Sequence, residues 1–336
     1  MAKPVFAVVG SESLLGREIR DIVATSVPDM ELRLIAADDE RAGRLTRVGD
    51  EPTMVVELDA AGLDDARAVF LAGSAESSSR ALKLLADQST PVIDLTGAAE
   101  EHPGATLRAP VVERDSGESV PPGGLIHVVA HPAAIALALL LRRLHAHDAI
   151  RRAVVEIFAP ASEHGTAGVE ELQQQTISML SFKTMPRAIF DTQSAFNLLA
   201  RYGEEAPIRL EDSELRIERH LATLLGLAGE GEDTPMPSLR LIQAPVFHGY
   251  SFSVWVEFEN FPGIEALESA LLAGPIEVRG PEFEPPTNVG QAGHGGISVG
   301  GIAADRNNAD AAWFWVVADN LRLAAENAVA VARELV

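Results

Sequence analysis

A short apolar strand followed by a glycine-bearing turn and a helix constrains the fold of this chain more than any other feature. Residues 4–9 form a β-rich run, the turn extends from Gly10 to Gly16, and an amphipathic pattern continues to about Ser26. A second apolar run, residues 31–36, follows at the distance expected of a βαβ unit. We therefore predict an α/β protein with a Rossmann-type parallel sheet over roughly the first third of the chain.

Length and composition limit the organisation and the partners. A chain of 336 residues exceeds one ordinary core and predicts two domains. Its formal net charge of -22 would be repelled by the phosphates of nucleic acids and anionic membranes, so we expect neither as a partner. With no signal-peptide pattern and no bilayer-length apolar run, we expect a cytoplasmic protein.

A second strand–helix junction lies near the middle of the chain. Residues 126–130 read as a buried strand, Pro132 marks a turn, and an apolar helix continues to about Leu144. In α/β enzymes, a helix N-terminus at the end of a strand is a common place for reactive groups, because its unpaired N–H groups stabilise negative charge. Here the chain contains no cysteine, which excludes disulfides, thiolate metal sites and thiol catalysis.

This junction resembles the nucleophile motif of the aspartate-semialdehyde dehydrogenase family. The family motif Ala-Asn-Pro-Asn-Cys-(Ser/Thr)-Thr corresponds here to Ala130-His131-Pro132-Ala133-Ala134-Ile135-Ala136. The resemblance covers essentially the whole chain, and its other specific pieces are Gly10 with Gly16, Val92-Ile93-Asp94, Pro245-Val246 and residues 315–322. It implies a dinucleotide-binding domain of residues 1–133 plus a C-terminal helix 313–336. It also implies an α+β catalytic-type and dimerisation domain of residues 134–312, and a homodimer.

The residues that carry chemistry in that family are replaced. By the resemblance, Ala134 stands at the nucleophilic cysteine and Ala159 at the substrate-orienting glutamine. Gln243 stands at the arginine that binds the substrate carboxylate, and Tyr250 at the acid/base histidine. Thiol attack, proton transfer and anion binding are therefore all affected, and no catalytic residue is expected to be intact. The chain closely resembles the cysteine-less Usg-type relatives of the family.

The resemblance also implies dinucleotide contacts. The implied positions are Gly10, Ser11, Ser13, Leu14, Leu15, Gly16, Asp38, Ala72, Gly73, Ser74 and Asn320. Ser13 replaces the middle glycine of the family turn, and Glu12 adds a carboxylate beside the expected pyrophosphate. Fold and bound cofactor are therefore separate expectations: NAD is favoured over NADP, and the absence of any cofactor is equally open. Residues 74–79 are also explained by a helix N-cap cluster alone.

The histidines admit simpler interpretations than a metal site. His127 and His131 have the i, i+4 spacing of helical ligands, but one belongs to a strand and the other to a turn. We therefore predict no metal centre. His248 lies two residues before Tyr250 and, on an alternating strand, would share its face, which makes it a candidate proton carrier.

Two classes of function follow. We favour a non-catalytic homodimer that keeps the fold as a binding or scaffolding protein for an unidentified small ligand or protein. The alternative is an oxidoreductase that acts on an aldehyde or oxo group. It would pass hydride to or from a nicotinamide cofactor without a covalent intermediate, with Tyr250 as the acid. Binding of NADH and NADPH discriminates between the two classes.

The loop after the second strand generates a prediction about the cofactor. It carries Asp38, Asp39 and Glu40 where the family has Ser, Arg and Lys. Acidic side chains repel a ribose 2′-phosphate, whereas Asp38 would accept hydrogen bonds from a bare ribose. If a dinucleotide binds, NAD should bind more tightly than NADP in a nicotinamide fluorescence titration.

A double variant tests this placement. Asp38→Ser with Asp39→Arg should raise NADP affinity if the loop lies at the ribose. A solvated acidic loop, the alternative interpretation, predicts no change. Tighter binding of NADP than of NAD by the unmodified protein would contradict the prediction.

Overall fold

A computed structural model of the protein describes residues 3–38, 40–115, 117, 124–226, 234–272 and 274–335. The chain forms two compact units. The first comprises Met1–Pro110, Ser119–Ala130 and Ala324–Val336, and the second comprises Val111–Glu118 and His131–Leu323. The domain ranges 1–133, 134–312 and 313–336 stay predictions. Within the described ranges, no helix has both the length and the apolar character needed to cross a membrane.

The chain up to residue 130 alternates strands and helices. Its elements are β1 (Val5–Val9), α1 (Leu14–Ser26), β2 (Glu31–Ile35), β3 (Leu45–Val48), β4 (Glu51–Met54), α2 (Ala60–Leu63), β5 (Ala68–Leu71), α3 (Ala75–Leu85), β6 (Val92–Asp94), β7 (Ala105–Arg108), α4 (Pro110–Asp115) and β8 (Ile126–Val129). Among the described residues of the first unit, six strands pair in the order β2-β1-β5-β6-β8-β7, and every pairing is parallel. The Rossmann-type sheet is confirmed.

Both faces of this sheet are buried, as a parallel sheet requires. Successive side chains of a strand point to opposite faces, so β1 contributes to two cores. Phe6 and Val8 belong to the core that includes residues of α1 and of the C-terminal segment 324–332. Ala7 and Val9 belong to the core on the opposite face. The uninterrupted apolar run of β1 is therefore explained by two-sided burial.

The β1–α1 turn depends on glycine at two positions. Gly10 has a φ of +83°, and a Cβ there would lie 2.2 Å from the Cα of Gly73. A Cβ on Gly16 would lie 2.1 Å from the carbonyl oxygen of Gly10. Ser13 is the N-cap of α1, and its hydroxyl accepts a hydrogen bond from the Gly16 N–H at 2.9 Å. The turn is thus packed against backbone on both sides.

The rest of the chain forms a mixed sheet with helices. Its elements are α5 (Pro132–His147), β9 (Ile150–Ala159), a 3₁₀ turn (Ala161–His164), α6 (Gly165–Leu180), α7 (Leu210–Leu225), β10 (Ser238–Gln243), β11 (Tyr250–Phe258), α8 (Ile264–Leu271), β12 (Ile276–Arg279), α9 (Asn288–Gln291), β13 (Ile297–Ala304), β14 (Ala311–Ala318) and α10 (Asn320–Glu334). In the described part of the second unit, six strands pair in the order β10-β9-β11-β14-β13-β12, and β11 is antiparallel to both neighbours. This confirms the α+β expectation.

Helix α5 forms the centre of the second unit. Every residue from Ala133 to Leu141 is buried, so the helix is apolar all round. It contacts β9, β14, α7 and α8. The predicted strand, Pro-marked turn and apolar helix at this junction are confirmed as β8 and α5.

Three local predictions were wrong. Residues 313–318 belong to β14 and not to the last helix. Helix α10 begins at Asn320, and the side chain of Asp319 accepts hydrogen bonds from the N–H groups of Leu321 and Arg322 in its first turn. The sequence pattern of residues 55–58 also predicts a strand, but they form none, since β4 ends at Met54 and Val56 makes an isolated bridge with Ile35. His248 precedes β11, because Gly249 takes a φ of +82° that interrupts the extended chain.

The close approach at Gly16 predicts a destabilising substitution. Gly16→Ala places a methyl group against backbone atoms that cannot move independently, so it should lower the free energy of unfolding by about 1–3 kcal/mol. This should occur although alanine favours helices over glycine by roughly 0.5–1 kcal/mol. Urea unfolding followed by circular dichroism measures the difference.

Gly104→Ala is the matched control in the same unit. A Cβ at Gly104 would have its nearest neighbour, Nδ1 of His102, at 3.7 Å, which is ordinary contact. Its stability should therefore stay close to that of the wild type. A Gly16→Ala protein as stable as wild type would contradict the close packing.

Candidate functional site

Three of the four family positions meet at one end of the second sheet. Ala159 ends β9, Gln243 ends the parallel neighbour β10, and Tyr250 begins the antiparallel neighbour β11. Gln243 lies directly opposite Ala159 in the strand register, and its side-chain amide donates to the Ala159 carbonyl oxygen at 3.0 Å. Adjacent strand ends therefore bring these positions together, as a shared site requires.

The fourth position, Ala134, lies in the first turn of α5. Its methyl group is fully buried. His131 is the N-cap of this helix, and its Nδ1 accepts a hydrogen bond from the Ala133 N–H at 3.2 Å. The backbone N–H of His131 donates to Nδ1 of His220 at 2.9 Å. The His131 ring therefore caps the N-terminus of α5, the helix whose first turn contains the family's nucleophile position, Ala134.

A carboxylate in the 3₁₀ turn connects these elements. One oxygen of Glu163 accepts from Nε2 of His131 at 2.8 Å, and the other accepts from the Tyr250 hydroxyl at 2.5 Å. Because Nδ1 of His131 accepts from the Ala133 N–H, Nε2 is the ring nitrogen that donates to Glu163. The rings of His131 and Tyr250 meet edge to face with centroids 5.9 Å apart. We call these three side chains the Glu163 cluster.

The Glu163 cluster has a defined electrostatic character. Burial opposes ionisation of Glu163, but the attraction and hydrogen bond of His131, the Tyr250 hydroxyl and the charge of Arg216 outweigh it and lower its pKa to about 2. Burial and the neighbouring carboxylate raise the pKa of Tyr250 well above its ordinary value. Near neutral pH the cluster therefore holds an ionised carboxylate and a neutral phenol.

A second hydrogen-bonded group surrounds Gln243. Its side-chain oxygen accepts from the Tyr202 hydroxyl at 2.7 Å, and that hydroxyl also lies 2.8 Å from Nε2 of His164. Burial lowers the pKa of His164, although Glu163 and Glu171 oppose the shift. Burial and then Glu163 raise the pKa of Tyr202. The site therefore contains two tyrosines, but both keep their protons.

Asn320 braces the same region. Its side-chain oxygen accepts from the Gly249 N–H at 3.0 Å, and its amide donates to the Ser162 hydroxyl at 3.1 Å. These partners adjoin Tyr250 and Glu163 in sequence, and Asn320 is buried. The structure thus assigns Asn320 internal hydrogen bonds, whereas its role toward a cofactor stays a prediction.

The sequence interpretation missed Glu163, His164, Tyr202 and His220. A signal was present for the first two, because Glu163 and His164 follow the family position Ala159 by only four and five residues. Tyr202 and His220 have no such signal, since they reach the site only through the tertiary fold. Within the described ranges, no group of three or more His, Asp or Glu side chains is arranged to hold a metal ion.

The first unit brings together the other positions proposed for a dinucleotide. The Ser13 hydroxyl donates to the Ala72 carbonyl oxygen at 2.6 Å, so the β1–α1 turn touches the loop after β5. Ser74 is the N-cap of α3, where its hydroxyl accepts from the Ser77 N–H. The predicted N-cap cluster is confirmed, while a contact with nicotinamide stays a prediction.

The donors of this turn are largely engaged by the protein itself. The N–H groups of Gly10 and Ser11 donate to Ile35, and that of Ser13 donates to Gly10. The Glu12 N–H donates to the carboxylate of Glu40 at 2.9 Å. The Ser11 hydroxyl is buried without a hydrogen-bond partner among the described residues. The turn therefore fits a dinucleotide pyrophosphate poorly in this conformation.

Comparison with known proteins identifies the family. Residues 141–323 match the model of the semialdehyde dehydrogenase dimerisation domain, and residues 6–119 match that of the semialdehyde dehydrogenase NAD binding domain. The chain belongs to the semialdehyde dehydrogenase family. This agrees with the parallel sheet of the first unit and the mixed sheet of the second.

Relatives of two kinds match over nearly the full length. A USG-1 protein homologue from Pseudomonas aeruginosa is 30% identical and covers 100% of this chain and 99% of its own. An aspartate-semialdehyde dehydrogenase from Rickettsia bellii is 26% identical and covers 98% and 97%. A solved structure of a probable aspartate-semialdehyde dehydrogenase from Pseudomonas aeruginosa superposes with a TM-score of 0.80 at 28% identity, covering 99% and 98%. The missing cysteine is consistent with a Usg-type member of the semialdehyde dehydrogenase family.

The lowered pKa of Glu163 predicts an acid-dependent loss of stability. Because the folded pKa lies near 2 and the ordinary value is 4.5, the ionised form contributes stability above about pH 4.5 and loses it as the pH falls toward 2. Glu163→Gln should be less stable than wild type by on the order of 3 kcal/mol at pH 7. The difference in free energy of unfolding between wild type and Glu163→Gln should be smaller at pH 3 than at pH 7, as measured by urea unfolding at both pH values.

The control is Glu170→Gln, which alters an exposed carboxylate of α6. It should change the free energy of unfolding by less than about 0.5 kcal/mol at either pH. A gap between wild type and Glu163→Gln that is equal at pH 7 and pH 3 would show that the charge of Glu163 does not contribute as described.

Proposed function

We propose that this chain is a homodimeric, non-catalytic member of the semialdehyde dehydrogenase family that acts as a binding or scaffolding protein. The observation that carries this proposal is the occupation of the family site by the Glu163 cluster. The nucleophile position holds a buried methyl group, and the acid/base position holds a tyrosine that donates to an internal carboxylate. The site keeps its frame but lacks a thiol at the nucleophile position and a histidine at the acid/base position.

The chemistry of the family requires several groups at once. A thiolate attacks the aldehyde, a base takes the proton, and cations hold the substrate anions. At the nucleophile, Ala134 is followed by Ile135 and Ala136, so no hydroxyl stands nearby in sequence. At the substrate-carboxylate position, Gln243 is neutral and is held by Tyr202 and by two backbone carbonyl oxygens. Four simultaneous losses support loss of the reaction.

The alternative oxidoreductase would use Tyr250 as its acid. Two observations argue against this assignment. The Tyr250 hydroxyl already donates a hydrogen bond to Glu163, and the side chain is completely buried. Its pKa is raised by burial and by the carboxylate, which makes proton release unfavourable. A non-covalent hydride transfer would therefore need a different acid.

An exposed apolar segment supports association with a protein partner. In the second unit, Leu180 is 72% exposed and Phe182 is 98% exposed, and Phe196 and Leu198 are also exposed. Leu180 and Phe182 lie two residues apart in the chain, as do Phe196 and Leu198, and exposed apolar patches are typical of protein–protein contacts. Together with the match to the dimerisation domain, this favours a homodimer.

The proposal predicts absence of the family reaction. The unmodified protein should give no phosphate-dependent oxidation of aspartate semialdehyde with NAD or NADP, because the rate enhancement of roughly 10⁶-fold or more depends on groups that are absent. Formation of NADH or NADPH at 340 nm measures the reaction. Turnover above the enzyme-free control would refute the proposal.

Restoring the family residues tests whether the frame is otherwise intact. Ala134→Cys alone should stay inactive, since Gln243 and Tyr250 still lack the cation and the base. The combination Ala134→Cys, Ala159→Gln, Gln243→Arg and Tyr250→His replaces the missing groups. Adding Glu163→Gly removes the carboxylate that engages this position, so any recovered activity should appear in the fivefold variant first.

A further inference from the structure

The loop after β2 is held against the β1–α1 turn by a carboxylate. One oxygen of Glu40 accepts from the Glu12 N–H at 2.9 Å, and the other accepts from the Ala37 N–H at 3.1 Å. The first donor belongs to the glycine turn, and the second follows the end of β2. In a dinucleotide fold these two places face the pyrophosphate and the adenine ribose. The Glu40 carboxylate is therefore an anion of the protein itself that accepts a hydrogen bond from an N–H group at each of these two places.

Arg20 connects the β1–α1 turn to a different segment, strand β3. From α1, its guanidinium donates to the Ser11 carbonyl oxygen at 3.0 Å and forms an ion pair with Glu12. The same group donates to the Thr46 hydroxyl at 2.9 Å and to the Arg47 carbonyl oxygen at 2.6 Å. A buried cation therefore joins the turn to β3, whereas Glu40 joins the turn to the end of β2.

Asp38, the expected ribose acceptor, is also engaged. Its carboxylate pairs with the guanidinium of Arg80 on α3. A ribose hydroxyl would therefore have to compete with a charge-assisted hydrogen bond. Groups of the turn, of the β2 end and of the acidic loop, all expected to contact the dinucleotide, are therefore hydrogen-bonded to other groups of the protein.

We infer that Glu40 is an internal competitor of the dinucleotide and holds the nucleotide-binding turn in a closed state. A phosphate that approaches Glu12 must displace the Glu40 carboxylate and also meets the negative charge of the Glu12 side chain. When only a small fraction of molecules is open, the apparent dissociation constant rises by the inverse of that fraction. Removal of Glu40 should therefore raise affinity even though no contact to the ligand is added.

The test is a binding titration of the full-length protein with NADH and NADPH, followed by nicotinamide fluorescence, with ADP as a competitor. Glu40→Ala should bind at least about tenfold more tightly than wild type. Glu40→Gln removes the charge but keeps one acceptor oxygen, so its gain should be smaller. The control Glu31→Ala removes an exposed carboxylate at the opposite end of β2 and should leave affinity unchanged.

Hydrogen exchange gives a second readout that needs no ligand. In Glu40→Ala, the amides of Glu12 and Ala37 should exchange faster than in wild type, because their acceptor is gone. Unaltered exchange of both amides would overturn the inference. Low-micromolar binding of NADH by the wild type would overturn it as well, since Glu40 would then not compete.

Three further binding outcomes would also count against the inference. These are no gain in Glu40→Ala, equal gains in Glu40→Ala and Glu40→Gln, and an equal gain in Glu31→Ala. The inference does not depend on the absence of catalysis. Turnover by the wild type would refute the proposed function without altering the binding comparison, and a failed comparison would leave the proposed function unaffected.

Discussion

The carboxylate of Glu163 accepts hydrogen bonds from side chains that belong to two other elements of the second unit. His131 caps α5, and Tyr250 begins β11, so one anion joins the 3₁₀ turn, the central helix and the sheet. A partly buried carboxylate is stabilised when such donors replace the lost water. The position of the helix N-terminus relative to the strand ends therefore depends on this cluster.

The same arrangement explains how the family frame is held together with Ala134, Gln243 and Tyr250 at the family positions. The strand ends still converge, but the side chains of Tyr250 and Gln243 are hydrogen-bonded to other groups of the protein. Tyr250 donates to Glu163, and Gln243 is held by Tyr202 and the backbone. The first unit shows a similar arrangement, because Glu40 accepts from the N–H groups of Glu12 and Ala37. In each unit, a carboxylate of the protein, Glu163 or Glu40, accepts hydrogen bonds at a position where the resemblance implies a ligand.

Much of the frame was predictable from sequence because it rests on local constraints. Gly10 and Gly16 are required by backbone contacts, and Pro132 after an apolar strand marks the start of α5. The run 313–318 was misassigned because a short apolar segment has no decisive period, and only pairing with β11 and β13 makes it a strand. The acidic loop appeared solvated or ligand-facing, but Glu40 turns inward to backbone donors of a distant segment. Such partners are set by the tertiary fold, and the sequence carries no local record of them.

The hydrogen bond between the Tyr250 hydroxyl and the Glu163 carboxylate is the central interaction of this site. It engages both groups within the protein, so neither is available to bind a substrate. A double-mutant cycle of Glu163→Gln, Tyr250→Phe and the combined variant, measured by urea unfolding at pH 7, isolates their interaction. A coupling free energy of about 1–3 kcal/mol is expected for a buried hydrogen bond to an ionised carboxylate. Additive effects, with a coupling within about 0.3 kcal/mol of zero, would contradict the claim.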